Sequence, residues 1–317
     1  MTAGEEKDVS LAGLIHLWVV YVVWGSTYLA IRFGVREGSG FPPFTFGAVR
    51  VLTAGGLLLL IARLRGRNIV PQKGEWWTLV GSGLLLWIGG NGLVLWAEQD
   101  IDSGIAALIV ASVPIWVAGM EAILDRRLPS YRLILSLVVG FSGIVVLSAP
   151  VWSSGIRANV MGILALFAAS ISWGGGMILQ SRRPVKLKNS VSSAYQQLAG
   201  GAAFLGLAFL LGEPRPTPSG QAWLALGYLI VFGSLIAFTS FVSALQLLPT
   251  RIVITYSYVN PLIAVVLGRL FLQEPITVWT VLGAALVLIG VYGVFRNREE
   301  RRTADSPPEG HSTSSRL

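Results

Sequence analysis

Ten stretches of the chain, near residues 12–34, 42–62, 76–98, 103–124, 131–149, 158–180, 190–211, 220–246, 251–272 and 277–295, run for about twenty residues each with almost no charge. No other feature restricts the fold as tightly. A bilayer core about 30 Å thick has no water to hydrogen-bond a bare N–H or C=O, so a stretch of this length crosses it as a helix with all its backbone bonds internal. Charge, proline and glycine cluster in the gaps, as in "RLRGRNIVPQKGE", "LDRRLPSYR", "SRRPVKLKN" and "GEPRPTPSG", which marks them as connections. The fold class expected is therefore an all-α membrane protein of ten transmembrane helices.

Only 13% of the 317 residues are charged, about half the share in a soluble domain, and little chain is left over for a second domain. Residues 1–11 form a short polar N-terminus, and 297–317 have the low hydrophobicity of a disordered tail. The acidic start "MTAGEEKDVS" lacks the basic n-region of a cleavable signal, and the run after it is long enough to span. Trp76, Trp77 and Trp152 sit at span ends and read as interfacial anchors. The absence of cysteine excludes a disulfide framework and thiolate metal sites.

The net charge of +8 could suggest a nucleic-acid partner, but its distribution follows topology. The N-terminus, the C-terminal tail and every second loop between them hold 18 Lys and Arg, and the loops on the other side hold 5. The positive-inside rule then puts both termini in the cytoplasm, and no nucleic-acid partner is needed to explain the excess.

The sequence also repeats itself. An offset of 147 pairs Ala97 with Ala244, Ser103 with Thr250, Pro114 with Pro261, Ser130 with Thr277 and Gly143 with Gly290, and an offset of 149 pairs Trp24-Gly25 with Trp173-Gly174. Residues 12–150 and 151–296 are thus two copies of one five-helix unit. Because five is odd, the second copy enters the membrane from the opposite side. Such inverted repeats place a substrate site between their halves near the midplane and work by alternating access.

Several segments carry a family resemblance. "WGSTYLAIRFG", "PFTFGAVRVLTAGGLLLL", "LWAEQDIDSGIAALIVASVPIWVAGMEAIL" and "ALQLLPTRIVITYSYVNPLIAVVLGRLFLQEPITVWTVLGAALVLIGVYGV" resemble the two EamA domains of the drug/metabolite transporter superfamily over about residues 12–295. Pro261, Glu274, Thr277 and Gly290 are the most specific part of the match. The resemblance implies a ten-helix inverted-repeat fold, an inner-membrane location in bacteria, and export or exchange of small metabolites such as amino acids. Arg127 stands where the second repeat has Glu274; its loop is expected to be cytoplasmic, which is reason enough for the change, and both residues are read as helix-end caps.

Candidate site residues come from polar and aromatic groups inside the spans. In "YVVWGSTYLAIR", Trp24, Thr27, Tyr28 and Ile31 share one helix face while Ser26 and Ala30 form a small-residue pair on another. The first face offers an indole N–H, a hydroxyl and a phenol. Trp173, Met177 and Gln180 repeat the spacing on the sixth helix, so the two tryptophans are expected around one cavity, with interfacial anchoring as the competing reading. Asn91, and the pair Tyr256 and Asn260 just before Pro261, extend the set, although interhelical hydrogen bonding explains a buried Asn equally well. Pro114 and Pro261 are expected to break their helices, freeing backbone carbonyls where gating could occur.

Arg50 is the costliest residue, an intramembrane cation worth several kcal/mol if unpaired, and it reads either as a functional group or as a structural counter-ion. Glu98 is the partner expected for it. Other titratable groups are scarce, since Glu121 lies near a span end and the two histidines are His16 and His311. No phosphate-cradling G-x-x-x-x-G-K-[ST] loop occurs, no cofactor or metal is implied, and no acid–base cluster of an enzyme lies at depth. The function expected is a secondary transporter, a uniporter-like carrier or an exchanger, exporting amino acids or aromatic compounds. An importer or antiporter is the alternative, and a membrane enzyme or scaffold fits poorly. The partners are a small-molecule substrate and the bilayer; oligomeric state is unreadable, because the glycine faces Gly140/Gly143 and Gly283/Gly290 serve packing within a chain as well as between chains.

Overall fold

Ser10 starts the first helix by accepting a hydrogen bond from the N–H of Gly13 at 3.0 Å, which satisfies one of the donors a helix start leaves bare. From there the computed structural model, described for residues 9–36, 38–99, 101, 103–147, 149, 160–272 and 276–305, builds helices joined by short connections. The helices are α1 (Leu11–Val35), α2 (Pro43–Leu64), α3 (Trp76–Ala97), α4a (Ser103–Val110) with α4b (Val113–Asp125), α5 (Tyr131–Leu147), α6 (Val160–Arg182), α7 (Asn189–Leu210), α8 (Gly220–Leu247), α9a (Thr250–Val253) with α9b (Tyr256–Leu272), and α10 (Val278–Asp305). Trp152, Glu274 and His311 lie outside the described residues.

Seven spans among the described residues are long and apolar enough to cross a membrane, and α5 is a shorter apolar helix. Helix α7 has the length, but Ser192, Ser193, Gln196 and Gln197 make it more polar. All four are buried against neighbouring helices, so the polarity faces protein. Helix α10 runs to Asp305, into the segment expected to be a disordered tail; Arg and Glu are good helix formers, and "RNREERR" continues the winding past the apolar span.

The duplication organises the packing. Helix α1 lies against α8 and α9b of the second repeat, and α6 lies in the same way against α3 and α4 of the first. The two second helices, α2 and α7, pair with each other, as do the two fifth helices, α5 and α10. The halves therefore interlock. The α5–α10 contact is made backbone to backbone, for a Cβ on Gly143 would stand 2.6 Å from the N of Val287 and 2.8 Å from the O of Gly283. The small-residue faces thus pack within one chain.

Both repeats interrupt their third helix in the same place. Leu84–Gly92 in α3 and Leu229–Phe238 in α8 are π-helical. A π segment holds one extra residue per turn, frees a carbonyl from the ordinary ladder, and often marks a functional site. The fourth helices differ. In α4 the break falls at residues 111–112, directly before Pro114, whereas α9 breaks at 254–255 and continues as a helix through Pro261. The expectation that Pro261 breaks its helix is corrected here. Its missing N–H leaves the Ser257 carbonyl without its ladder donor, yet the helix is continuous from Tyr256 to Leu272.

The helix ends follow the same symmetry with opposite charge. Gly66 and Gly212 take left-handed φ of 66° and 63° after α2 and α7. Next to them, Glu213 accepts from the N–H groups of Phe44 and Thr45 at 2.9 and 2.7 Å and from the Thr45 hydroxyl at 2.7 Å, placing a carboxylate on the positive end of α2. Arg67, in the matching position, donates to Ser190 Oγ in the first turn of α7 at 3.2 Å. At the Glu213 end, the loops are clasped by bonds from Thr217 N to Gly40 O and from Ser219 N to Ser39 O, at 2.8 and 3.0 Å. The end of α4b is closed by the backbone N–H of Arg127 on Ala122 O at 3.1 Å, after Arg126 takes a left-handed φ of 52°.

Candidate functional site

Where α1 and α6 cross the centre, their tryptophans meet. Trp24 and Trp173 pack edge to face with ring centroids 5.5 Å apart, and Tyr256 and Phe241 complete the cluster at 5.1 and 5.0 Å from Trp24. Aromatic pairs at these distances and tilts are favourable beyond their burial by about 0.5–1.5 kcal/mol. The Trp24 indole donates to the carbonyl of Gly233 at 3.3 Å, inside the π segment of α8. On the other side of the pseudo-twofold, Ser172 Oγ donates to the carbonyl of Leu85 at 2.9 Å, inside the π segment of α3. The first helix of each repeat therefore ties itself to the π-wound carbonyls of the other repeat.

A narrow cavity with an open mouth lies beside this cluster. Its walls are Trp24, Thr27 and Ile31 of α1, Arg50 of α2, Trp87, Gly90, Asn91 and Val94 of α3, Val110 of α4a, Ala169, Ser170 and Trp173 of α6, and Tyr256 and Asn260 of α9b. The contributions of α1, α2 and α3 all belong to the half of the bundle remote from the chain termini. Toward the termini the helices close. Leu17, Val20, Phe241 and Leu248 are fully buried there, and the Tyr21 and Thr255 hydroxyls bond at 2.6 Å between α1 and the break in α9. Among the described residues, then, the end toward the termini is filled and the cavity lies on the other side of the tryptophan pair.

The expected residues divide across this boundary. Trp24, Thr27, Asn91, Trp173, Tyr256 and Asn260 line the cavity. Thr27 turns its hydroxyl back onto the Trp24 carbonyl at 2.9 Å, and Asn260 donates to the carbonyls of Tyr21 and Tyr256, so both also fasten α1 and α9b in place. Met177 and Gln180 do not line it. Helix α6 runs toward the filled end, which puts them one and two turns below Trp173. Met177 is fully buried in the core, and Gln180 Oε1 accepts from Gln196 Nε2, which also donates to Ser82 Oγ, both at 3.0 Å. The side chain of Tyr28 lies outside the described residues.

Arg50 is the charged group on the wall, and the structure corrects its expected partner. It does not pair with Glu98. Arg50 Nε donates to Ser234 Oγ of α8 at 3.0 Å, Nη1 reaches Asn91 Oδ1 of α3 at 3.5 Å, and the guanidinium lies 5.3 Å from the centre of the Trp87 ring. Ser234 and Asn91 both belong to the π segments. Glu98, fully buried at the end of α3, is set apart because its backbone carbonyl and that of Ile101 are held by Arg32 Nη1 at 3.0 and 2.9 Å.

Trp87 is the largest of the wall residues that sequence reasoning passed over. It precedes Asn91 by four residues in "WIGGN", hence on the same helix face, and that spacing could have flagged it. Phe241, which floors the cluster, is one of three phenylalanines in α8 and carries no comparable signal. Among the described residues no group of three or more His, Cys, Asp or Glu could hold a metal.

The profile of the EamA-like transporter family fits residues 11–149 and 160–296, one copy on each repeat. The chain belongs to the EamA-like transporter family. Among its EamA relatives is the uncharacterized inner membrane transporter YedA of Escherichia coli (strain K12), 33% identical over 87% of this chain and 90% of the relative. The uncharacterized transporter YoaV of Bacillus subtilis (strain 168) is 23% identical over 86% and 93%, and protein PecM of Dickeya dadantii (strain 3937) is 27% identical over 88% and 92%. One solved crystal structure superposes with a TM-score of 0.75 at 23% identity, over 94% of this chain and 100% of the other, so the two share a fold. Family membership makes this a membrane transporter rather than an enzyme.

Proposed function

We propose that this transporter exports small organic metabolites, amino acids or aromatic compounds, across a bacterial inner membrane by alternating access through the cavity between its repeats. The observation that carries this reading is the Trp24–Trp173 pair, one residue from each repeat, standing at the boundary between the filled and the open halves. With both termini cytoplasmic, as the distribution of Lys and Arg favours, the cavity faces outward. Among the described residues its wall holds no carboxylate or histidine, so the carrier runs down its substrate gradient or exchanges one substrate for another.

Tryptophan fluorescence of the purified protein tests the site directly. Titration with a panel of amino acids and aromatic metabolites is expected to give saturable quenching, which Trp24→Phe and Trp173→Phe each reduce. Quenching that survives in both variants, or its absence for every compound with the protein folded, would remove the basis for this site.

The lack of native cysteine permits a second measurement. Ser170→Cys, on the cavity wall, is expected to react with a membrane-impermeant thiol reagent added outside right-side-out vesicles, and to react several-fold more slowly in inverted ones. The reverse ratio would overturn the assigned orientation.

A further inference from the structure

We propose that Arg50 is the anchor for a substrate carboxylate, so that the transported molecules are amino acids or other organic monocarboxylates with an apolar or aromatic body; the inference rests on the transport reading above. Arg50 is 3% exposed and lines the cavity. A guanidinium carries five N–H donors and a full charge at any physiological pH. Two of those donors are used, toward Ser234 Oγ and Asn91 Oδ1, and both acceptors are neutral. Among the described residues no carboxylate pairs with Arg50, and Nη2 makes no hydrogen bond.

A cation in a low-dielectric interior demands a negative partner or several good acceptors. Ordinary membrane proteins meet the demand with an Asp or Glu in the same bundle. Here the nearest expected acid, Glu98, is positioned elsewhere, and the space in front of the guanidinium is cavity. The missing negative charge is therefore supplied by whatever enters. The planar fork matches a carboxylate in bidentate geometry.

The surroundings narrow the ligand further. Gly233 leaves room for the fork, since a Cβ there would stand 3.0 Å from Arg50 Nη2. Trp87 backs the guanidinium on one side, and Trp24, Trp173 and Tyr256 offer ring faces and edges along the rest of the wall. One cation answers one negative charge, so multivalent anions such as phosphate esters are poorly served. Arg50 lies seven residues, about 10 Å, along α2 from Pro43, on the open half of the bundle, within reach of a molecule arriving by the mouth.

The test compares four forms of one molecule by tryptophan quenching of the full-length purified protein: phenylalanine, 3-phenylpropionate, phenylalanine methyl ester and phenylethylamine. Inorganic phosphate and chloride serve as simple anions. The two carboxylates are expected to bind at least tenfold more tightly than the ester and the amine. Arg50→Gln is expected to abolish that preference, and Arg50→Lys to retain part of it. If Arg50→Gln fails to fold, Arg50→Lys decides, and a carboxylate preference undiminished in it would overturn the anchor.

Equal affinity for acid, ester and amine would overturn the anchor and leave the transport site standing. Phosphate or chloride quenching as strongly as the carboxylates would also overturn it, because the group would then be a simple anion site. No quenching by any compound would defeat both the anchor and the site on which it rests.

Discussion

Gly290→Val is expected to prevent recovery of a monodisperse protein, or to lower the midpoint of thermal unfolding in detergent by on the order of 10 °C. A Cβ at Gly290 would overlap the Cα and N of Gly140 and come within 2.8 Å of the Ser136 carbonyl. Overpacked side chains in a core cost about 1–3 kcal/mol because their neighbours can rotate away. Here the neighbour is backbone, so the whole α5–α10 pair must separate. Gly206→Ala is the matched control, since nothing lies within 4 Å of the added methyl in the interior of α7. Alanine there is expected to be neutral or stabilising by up to about 1 kcal/mol. Equal thermal midpoints for the two variants would show that the glycine contact does not hold the fifth helices together.

Glu213→Ala is expected to be the most destabilising change at a helix end, by about 1–3 kcal/mol, read as a fall in the thermal midpoint. Three donors converge on this carboxylate, two of them backbone N–H groups at the start of α2. Its loss leaves those donors bare and removes a negative charge from the positive end of the helix. Arg67→Ala, at the pseudo-symmetric position, removes a single 3.2 Å bond to a side-chain hydroxyl and is expected to cost under about 1 kcal/mol. The two ends of the molecule share an architecture and differ in which partner makes the stronger bond.

These contrasts show which parts of the structure could be read in advance. Helix number and duplication were legible because lipid forces whole segments to be apolar, and because the offset pairs residues such as Pro114 and Pro261 whose types rarely coincide by chance. The meeting of Trp24 and Trp173 followed from the same symmetry. What failed was depth. The face through Trp173, Met177 and Gln180 is continuous along α6, but where the cavity stops depends on how α8 and α9 fill the other half, and no local pattern records that. Arg50 shows a second limit. Glu98 was the chemically sensible partner, yet a buried charge can be met by Ser234 and Asn91 on helices distant in sequence. Pro261 shows a third, since the helix runs on through a ring that the sequence marks as a break.

The matching π segments of α3 and α8 make the azimuth of each helix beyond them depend on a single surplus residue. Deleting one residue within Leu84–Gly92 would let that stretch wind as an ordinary α-helix, and everything between the deletion and the α3–α4 connection would rotate by about 100°. Val94 would turn from the cavity toward another neighbour, and Glu98 would leave its place beside Arg32, while Thr78 and Ser82 stayed as they are. One half of a membrane-spanning helix can thus be re-aimed without disturbing the other. In a transporter whose repeats descend from one ancestor, that gives a one-codon route by which relatives could acquire differently lined cavities on the same ten-helix frame.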